Sequence, residues 1–202
     1  DLRSPLTLSN ALHFPLQSAR SRRDVLIGGL LLWIPVLGFV LNMGYRLQMV
    51  HRMQRNQSPW PGWNHFPELL LHGGVASAAI LGYHLPALAV LLLAWKLASA
   101  QLALLRLILG AAATFFLPGF MTFYAYDFDP MHVIRPAPAL RRVLHGGRAY
   151  LKAWGIGICA CALSFAGLLL LGIGFAWTSV WFWQVAAFCF SRVFSEQYGL
   201  LE

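Results

Sequence analysis

Long stretches without charge alternate with short basic segments along this chain. Five stretches are almost entirely uncharged, at about residues 25–45, 69–95, 107–126, 153–172 and 174–193. A helix of about 20 apolar residues is long enough to cross a hydrocarbon core about 30 Å thick. The pattern therefore predicts an all-α, polytopic transmembrane helical bundle of about five spans in a single domain. Residues 1–24, which mix leucines with arginines, are expected to form an interfacial amphipathic segment.

The first uncharged stretch has two interpretations, because Pro35 and Gly38 lie near its centre. It can cross the membrane as a kinked helix, which is the interpretation adopted for residues 25–45. It can also turn back as a re-entrant hairpin, since irregular backbone is tolerated at depth where protein covers it.

Small residues recur every fourth position in two of the predicted spans, which places them on one helix face. The two stripes are Gly74, Ala78 and Gly82, and Ala153, Gly157 and Cys161. Such stripes let helices approach closely in lipid, so both are predicted packing or docking faces.

The last predicted span is rich in large aromatic side chains, including Trp177, Trp181 and Trp183. Aromatic residues contribute strongly to protein interfaces. This span is therefore predicted to face lipid, to dock another protein or to contact a pigment.

Composition supports a membrane protein, because 58% of the residues are hydrophobic and only 11% are charged. The basic residues that give the net charge of +8 lie between the uncharged stretches, as expected for connections near anionic lipid headgroups. No nucleic-acid partner is therefore predicted. The positive-inside rule places connections 46–68 and 127–152 in the cytoplasm. If residues 25–45 cross the membrane, the basic N-terminal segment lies on the opposite side and favours the reverse orientation. If they do not cross, all three basic segments lie on the same side.

Two parts of the chain resemble each other and indicate a weak parallel repeat of two spans each. One contains "IPVLGFVLNMGYRLQ…FPELLLHGGVASAAI" and the other "LPGFMTFYAYDF…APALRRVLHGGRAYLKAWGIGI". Parallel repeats occur in transporters.

The segments "VLIGGLLLWIPVLGFVLNMGYRLQMVHRMQRNQSPWPGW" and "GIGFAWTSVWFWQVAAFCFSRVFSEQYG" resemble a prokaryotic membrane family, domain of unknown function 4013. The resemblance covers nearly the whole chain and implies several spans with interfacial helices. It implies no catalytic residues. One departure is that Asn64 and His65 follow the Pro-Trp turn, where the family usually has Glu or Asp.

Candidate metal ligands are His65, Glu68 and His72, which share a face if the segment is helical. Two imidazoles and a carboxylate suit a divalent metal. Pro67 lies between them, so the alternative is an ordinary polar face of a surface helix.

His84 lies deep in an apolar span, close to Pro86. A histidine at this depth can ligate a haem or a chlorophyll-type pigment, or it can hydrogen-bond a carbonyl group freed by the proline. Pigment and lipid are therefore the cofactors considered.

The predicted spans contain no acidic residue and the chain has no recognisable catalytic motif, so a non-enzymatic role is expected. The leading hypothesis is an accessory, assembly or scaffold subunit of a larger membrane complex, photosynthetic or respiratory. Its expected partners are lipids and other membrane subunits, in a prokaryotic inner or photosynthetic membrane. The alternatives are a transporter or lipid-handling protein, and a membrane enzyme or metal protein.

Overall fold

The computed structural model describes residues 5–197, and all the regular secondary structure in that range is helical. The α-helices are α1 (Leu8–His13), α2 (Ala19–Leu31), α3 (Leu37–Gln54), α4 (Phe66–Leu97), α5 (Ala100–Asp127), α6 (Met131–Ile134), α7 (Pro136–Ser164) and α8 (Phe175–Gln197). Short 3-10 turns follow α1 and α7, at Phe14–Leu16 and Phe165–Leu169.

Within the described range, three helical segments are long and apolar enough to cross a membrane. They are α4, α5, and α7 with its 3-10 extension to Leu169. The helical membrane fold is thus confirmed, and these segments overlap the predicted spans 69–95, 107–126 and 153–172. The predicted span 174–193 forms α8 but is not among the three.

The single crossing helix predicted over residues 25–45 is wrong, because the chain turns back inside it. The Leu37 amide donates to the Pro35 carbonyl at 2.7 Å, which closes a γ-turn at Val36 with φ at 63°. Asn42 then donates across the turn to the Gly28 carbonyl at 3.0 Å. The segment is thus a helical hairpin, as the re-entrant alternative requires, and Pro35 at its turn removes a backbone donor from the helix.

A second hairpin joins α7 to α8 through a turn at 170–174, where a turn was expected near 172–174. The Thr178 hydroxyl donates to the Ser164 carbonyl at 2.6 Å and holds its two arms together. Trp177, near this turn, packs on Gly29, near the end of α2. The apolar tips of both hairpins therefore lie on the same side of the bundle.

Glycines allow α3 and α4 to approach until their backbones touch. A Cβ atom on Gly44 would lie 1.9 Å from the Leu69 carbonyl oxygen, and one on Gly73 would lie 1.9 Å from that of Val40. Gly73 thus lies on the face of α4 that packs against α3.

The predicted stripe of Gly74, Ala78 and Gly82 faces away from this contact. Ala78 and Gly82 are exposed, and no described atom lies within 4 Å of a Cβ placed on Gly74 or Gly82. A step of one residue turns a helix by about 100°, so choosing Gly74 over Gly73 selects a different face. A packing role for this stripe within the chain is therefore wrong, and only an external docking role remains.

The aromatic helix α8 lies against the chain's own helices instead of forming an outer wall. The indole nitrogens of Trp177 and Trp181 each donate over 3.1 Å, to the carbonyls of Leu26 and Leu12. Phe188 is buried and stacks on Phe14 with ring centroids 4.5 Å apart. These aromatic side chains pack on the N-terminal segment and α2, and the docking role of Trp177, Trp181 and Trp183 stays a prediction.

Candidate functional site

A cavity of about 430 Å³ lies where α3, α4, α5, α7 and α8 converge. Its walls are mainly apolar and aromatic, with Met43, Leu47, Leu117, Trp154 and Phe182 among them. Pockets that bind small molecules typically have such walls, a few polar groups and volumes of about 300–1,000 Å³. By size and lining, this cavity is a candidate binding site.

Among the described residues that line the cavity, Arg46 is the only charged one. Its Nη2 donates to the Met43 sulfur at 2.8 Å, and its guanidinium lies 5.1 Å from the ring centre of Trp183. In the described part of the chain no carboxylate forms an ion pair with it. A thioether is a weak acceptor and a guanidinium has five donors, so most of its donors are available to a ligand.

Burial lowers the pKa of Arg46 to about 10. The side chain therefore stays protonated at neutral pH. A cation beside apolar walls attracts an anion more strongly than it would in water, because the surroundings screen it less.

The cavity is open at one side. Ile158 on α7 and Thr114 on α5 both line it and are both exposed. Both helices are long and apolar enough to cross a membrane.

The second predicted small-residue stripe borders this cavity. Ala153 and Gly157 are buried, and Gly157 and Cys161 line the cavity wall. No described atom lies within 4 Å of a Cβ placed on Gly157. Part of the stripe thus leaves space for a ligand instead of closing a helix contact. Trp183, predicted as a docking residue, lines the same cavity.

His84 has a protein hydrogen-bond partner at Nδ1 and the Thr114 hydroxyl close to Nε2. Nδ1 donates to the Ile80 carbonyl at 2.8 Å, and Nε2 lies 3.2 Å from the Thr114 hydroxyl oxygen. His84 therefore donates to a carbonyl, but to that of Ile80. The carbonyl that Pro86 leaves without a backbone donor is that of Gly82, four residues before the proline. A pigment metal could bond to Nε2 only if Thr114 moved away.

His65, Glu68 and His72 do not assemble a metal site. Among the described residues, no three His, Cys, Asp or Glu side chains are placed to hold a metal ion. His65 precedes the first turn of α4 with non-helical φ and ψ of −113° and 60°, so the assumed helical spacing fails there. His72 instead contacts the Tyr124 hydroxyl at 3.1 Å and stacks on Phe128.

Two chemically notable residues, Arg46 and Asp24, were not singled out from the sequence. Asp24 is fully buried beneath the first hairpin, where its Oδ2 accepts from the Tyr45 hydroxyl at 2.7 Å. Its Oδ1 is buried and has no hydrogen-bond partner among the described residues. Asp24 directly precedes an uncharged stretch, and that position is the only sequence signal that pointed to its burial.

The fold defines a membrane protein of the all-α, polytopic class, with three helical segments long and apolar enough to cross a membrane and a helical hairpin of α2 and α3. The chain belongs to the family described as "Protein of unknown function (DUF4013)", whose family model matches residues 27–173. The family resemblance seen in the sequence is thus confirmed. Neither a curated protein nor a solved structure matches the chain. Membership of this family assigns no activity to the chain.

Proposed function

We propose that this protein is a non-enzymatic, lipid-handling membrane protein that binds an anionic amphipathic lipid in the cavity beside Arg46. The observation that carries the proposal is a cation on the wall of an apolar cavity, whose exposed lining residues include Thr114 and Ile158 on two helices long and apolar enough to cross a membrane. An apolar tail gains from the walls, and an anionic headgroup gains charge-assisted hydrogen bonds to the guanidinium.

Lipids that co-purify with the protein test this proposal. The protein and two variants would be purified in a mild non-ionic detergent, and bound lipids would be identified by mass spectrometry. Arg46→Gln should lose anionic lipid, because it removes the charge while keeping a polar side chain. Arg55→Gln is the matched control, since Arg55 caps the same helix but is exposed and does not line the cavity. Equal anionic lipid on all three proteins would contradict the proposal.

We also infer the orientation of the bundle from its charges. The hairpin of α2 and α3 is not a single helix through residues 25–45, which supports an orientation with segments 1–24, 46–68 and 127–152 on one side. Lys96 and Arg106 flank the opposite turn, between α4 and α5. The positive-inside rule then favours a cytoplasmic location for all three basic segments.

Cysteine labelling in intact cells tests the orientation. Ser58→Cys should be shielded from a membrane-impermeant maleimide, whereas Gln101→Cys, near the α4–α5 turn, should react. The reverse pattern would place the basic side outside.

A second candidate function is the accessory or assembly subunit of a larger membrane complex. The outward face of Gly74, Ala78 and Gly82 favours it, because an unfilled small-residue face lets another transmembrane helix approach closely. Gly82→Ile should then release a partner that co-purifies with the wild type. Ala112→Ile, on the exposed surface of α5, is the control. A lone, monodisperse wild-type protein in mild detergent would count against this role.

A further inference from the structure

The size of the cavity limits how much lipid it can enclose. At about 30 Å³ per group, which is the liquid volume of one water molecule, 430 Å³ holds on the order of 14 non-hydrogen atoms. This is the bulk of one acyl chain.

The charges in the cavity limit the headgroup. Arg46 supplies one positive charge, and the other described residues of the lining add none. The two threonine hydroxyls of the lining are already engaged, since Thr114 donates to the Gly110 carbonyl at 2.9 Å and Thr122 to that of Pro118 at 2.7 Å. One guanidinium matches one carboxylate in charge and in its two-pronged geometry. A dianionic phosphate monoester would keep a second, uncompensated charge against apolar walls.

We propose that the ligand is a free fatty acid, which enters from the bilayer between Thr114 and Ile158 and places its carboxylate on Arg46. This inference rests on the proposed lipid-handling function and specifies its substrate class. The tail then lies along Gly157 and Cys161, where the small side chains of α7 leave room for it.

Equilibrium binding of labelled palmitate to the purified protein in non-ionic detergent tests the headgroup. Arg46→Gln should weaken binding about tenfold or more, because a hydrogen bond to a charged group contributes about 1.5–3 kcal/mol. Arg46→Lys should fall between the two, since it keeps the charge but loses the fork of donors. Arg55→Gln should bind like the wild type.

A pair of glycines on α7 tests the tail independently of the charge. Gly157 faces the cavity, whereas Gly155 is exposed, and a Cβ placed on either glycine would have no described atom within 4 Å. Gly157→Leu should fill the tail space and weaken palmitate binding about tenfold or more, given about 0.8 kcal/mol for each buried methylene displaced. Gly155→Leu makes the same change in helix propensity and should leave binding unchanged.

The outcomes separate this inference from the function on which it rests. Palmitate binding that depends on both Arg46 and Gly157 supports it. Arg46-dependent binding of diacyl phosphatidylglycerol without palmitate binding overturns the fatty-acid inference and leaves the lipid-handling function in place. Palmitate binding that neither variant weakens overturns the assigned site. Failure to bind either lipid, with none co-purifying, removes both proposals. Circular dichroism of each variant identifies loss of fold, and Gly157→Leu and Arg46→Lys stand in if Arg46→Gln does not fold.

Discussion

At the scale of single residues, the pair of Asp24 and Tyr45 places a carboxyl group and a phenol inside the fold, away from water. A carboxylate taken out of water needs hydrogen bonds to replace its hydration. Among the described residues, Asp24 has one side-chain partner, the Tyr45 hydroxyl at 2.7 Å. Burial raises the pKa of Tyr45, and the neighbouring carboxylate raises it further, so the phenol stays protonated and remains a donor.

Tyr45→Phe should destabilise the protein by about 2 kcal/mol, because it removes the side-chain donor that the Asp24 carboxylate uses. Thermal unfolding in detergent measures the change. Tyr126→Phe is the control, since Tyr126 is exposed. Equal melting temperatures for the two variants would show that the pair contributes nothing.

His51 makes stability depend on pH. Burial lowers the pKa of His51, although its Nδ1 contacts the Ala125 carbonyl at 2.7 Å. The unfolded chain therefore binds a proton at this residue more readily than the folded chain does. By linkage, the contribution is fully present above the unfolded pKa of about 6.5 and is lost as the pH falls towards the lower folded value.

The melting temperature of the wild type should therefore fall more between pH 7 and pH 5 than that of His51→Gln. His145→Gln provides the comparison, because His145 is exposed. If all three proteins lost the same amount, His51 would not be the source of the pH dependence.

At the scale of elements, the hairpin of α2 and α3 depends on a few polar contacts at its turn. Asn42 donates to the Gly28 carbonyl at 3.0 Å and to the Gly38 carbonyl at 2.8 Å. The first bond joins the two helices, and such bonds within membrane proteins contribute roughly 0.6–2 kcal/mol.

Asn42→Ala should therefore destabilise the hairpin by about 1–2 kcal/mol, by losing this bond and leaving a small void. Hydrogen–deuterium exchange should rise in residues 28–40 first. Asn64→Ala removes an exposed asparagine and should leave exchange in the hairpin unchanged. Unchanged exchange in Asn42→Ala would show that packing alone holds the turn.

At the scale of the whole molecule, the apolar tips of the two hairpins determine how the bundle sits in the membrane. Trp33 is 57% exposed at the first tip and Leu171 is 93% exposed at the second. Large apolar side chains at a turn between helices are stable in hydrocarbon and unfavourable in water. Both tips are therefore expected to contact hydrocarbon.

A nitroxide label at Trp33→Cys should be accessible to oxygen and protected from a water-soluble nickel complex in electron paramagnetic resonance. A label at Gln101→Cys, near the α4–α5 turn, should show the opposite preference. A water-accessible label at residue 33 would mean that the hairpin reaches the membrane surface or never enters the membrane.

Local chemistry made much of the fold predictable. Uncharged stretches of sufficient length predict apolar helices, and Pro35 and the glycines at 172–174 mark positions where a helix is weakened. The amino-acid sequence by itself therefore determined an all-α membrane protein and the position of the last turn. It also limited residues 25–45 to two interpretations.

Tertiary structure decided the features that depend on distant residues. Only the α3–α4 contact distinguishes Gly73 from Gly74, because Gly44 must lie opposite the glycine that packs. In the sequence, Arg46 is one of several arginines in a basic connection. Only the convergence of five helices in the fold places it on the wall of a cavity. Asp24 and Tyr45 lie 21 residues apart and meet only because the hairpin closes. Hydrophobic patterning favours burial in general, but the choice of partners depends on packing between elements, which the pattern does not encode.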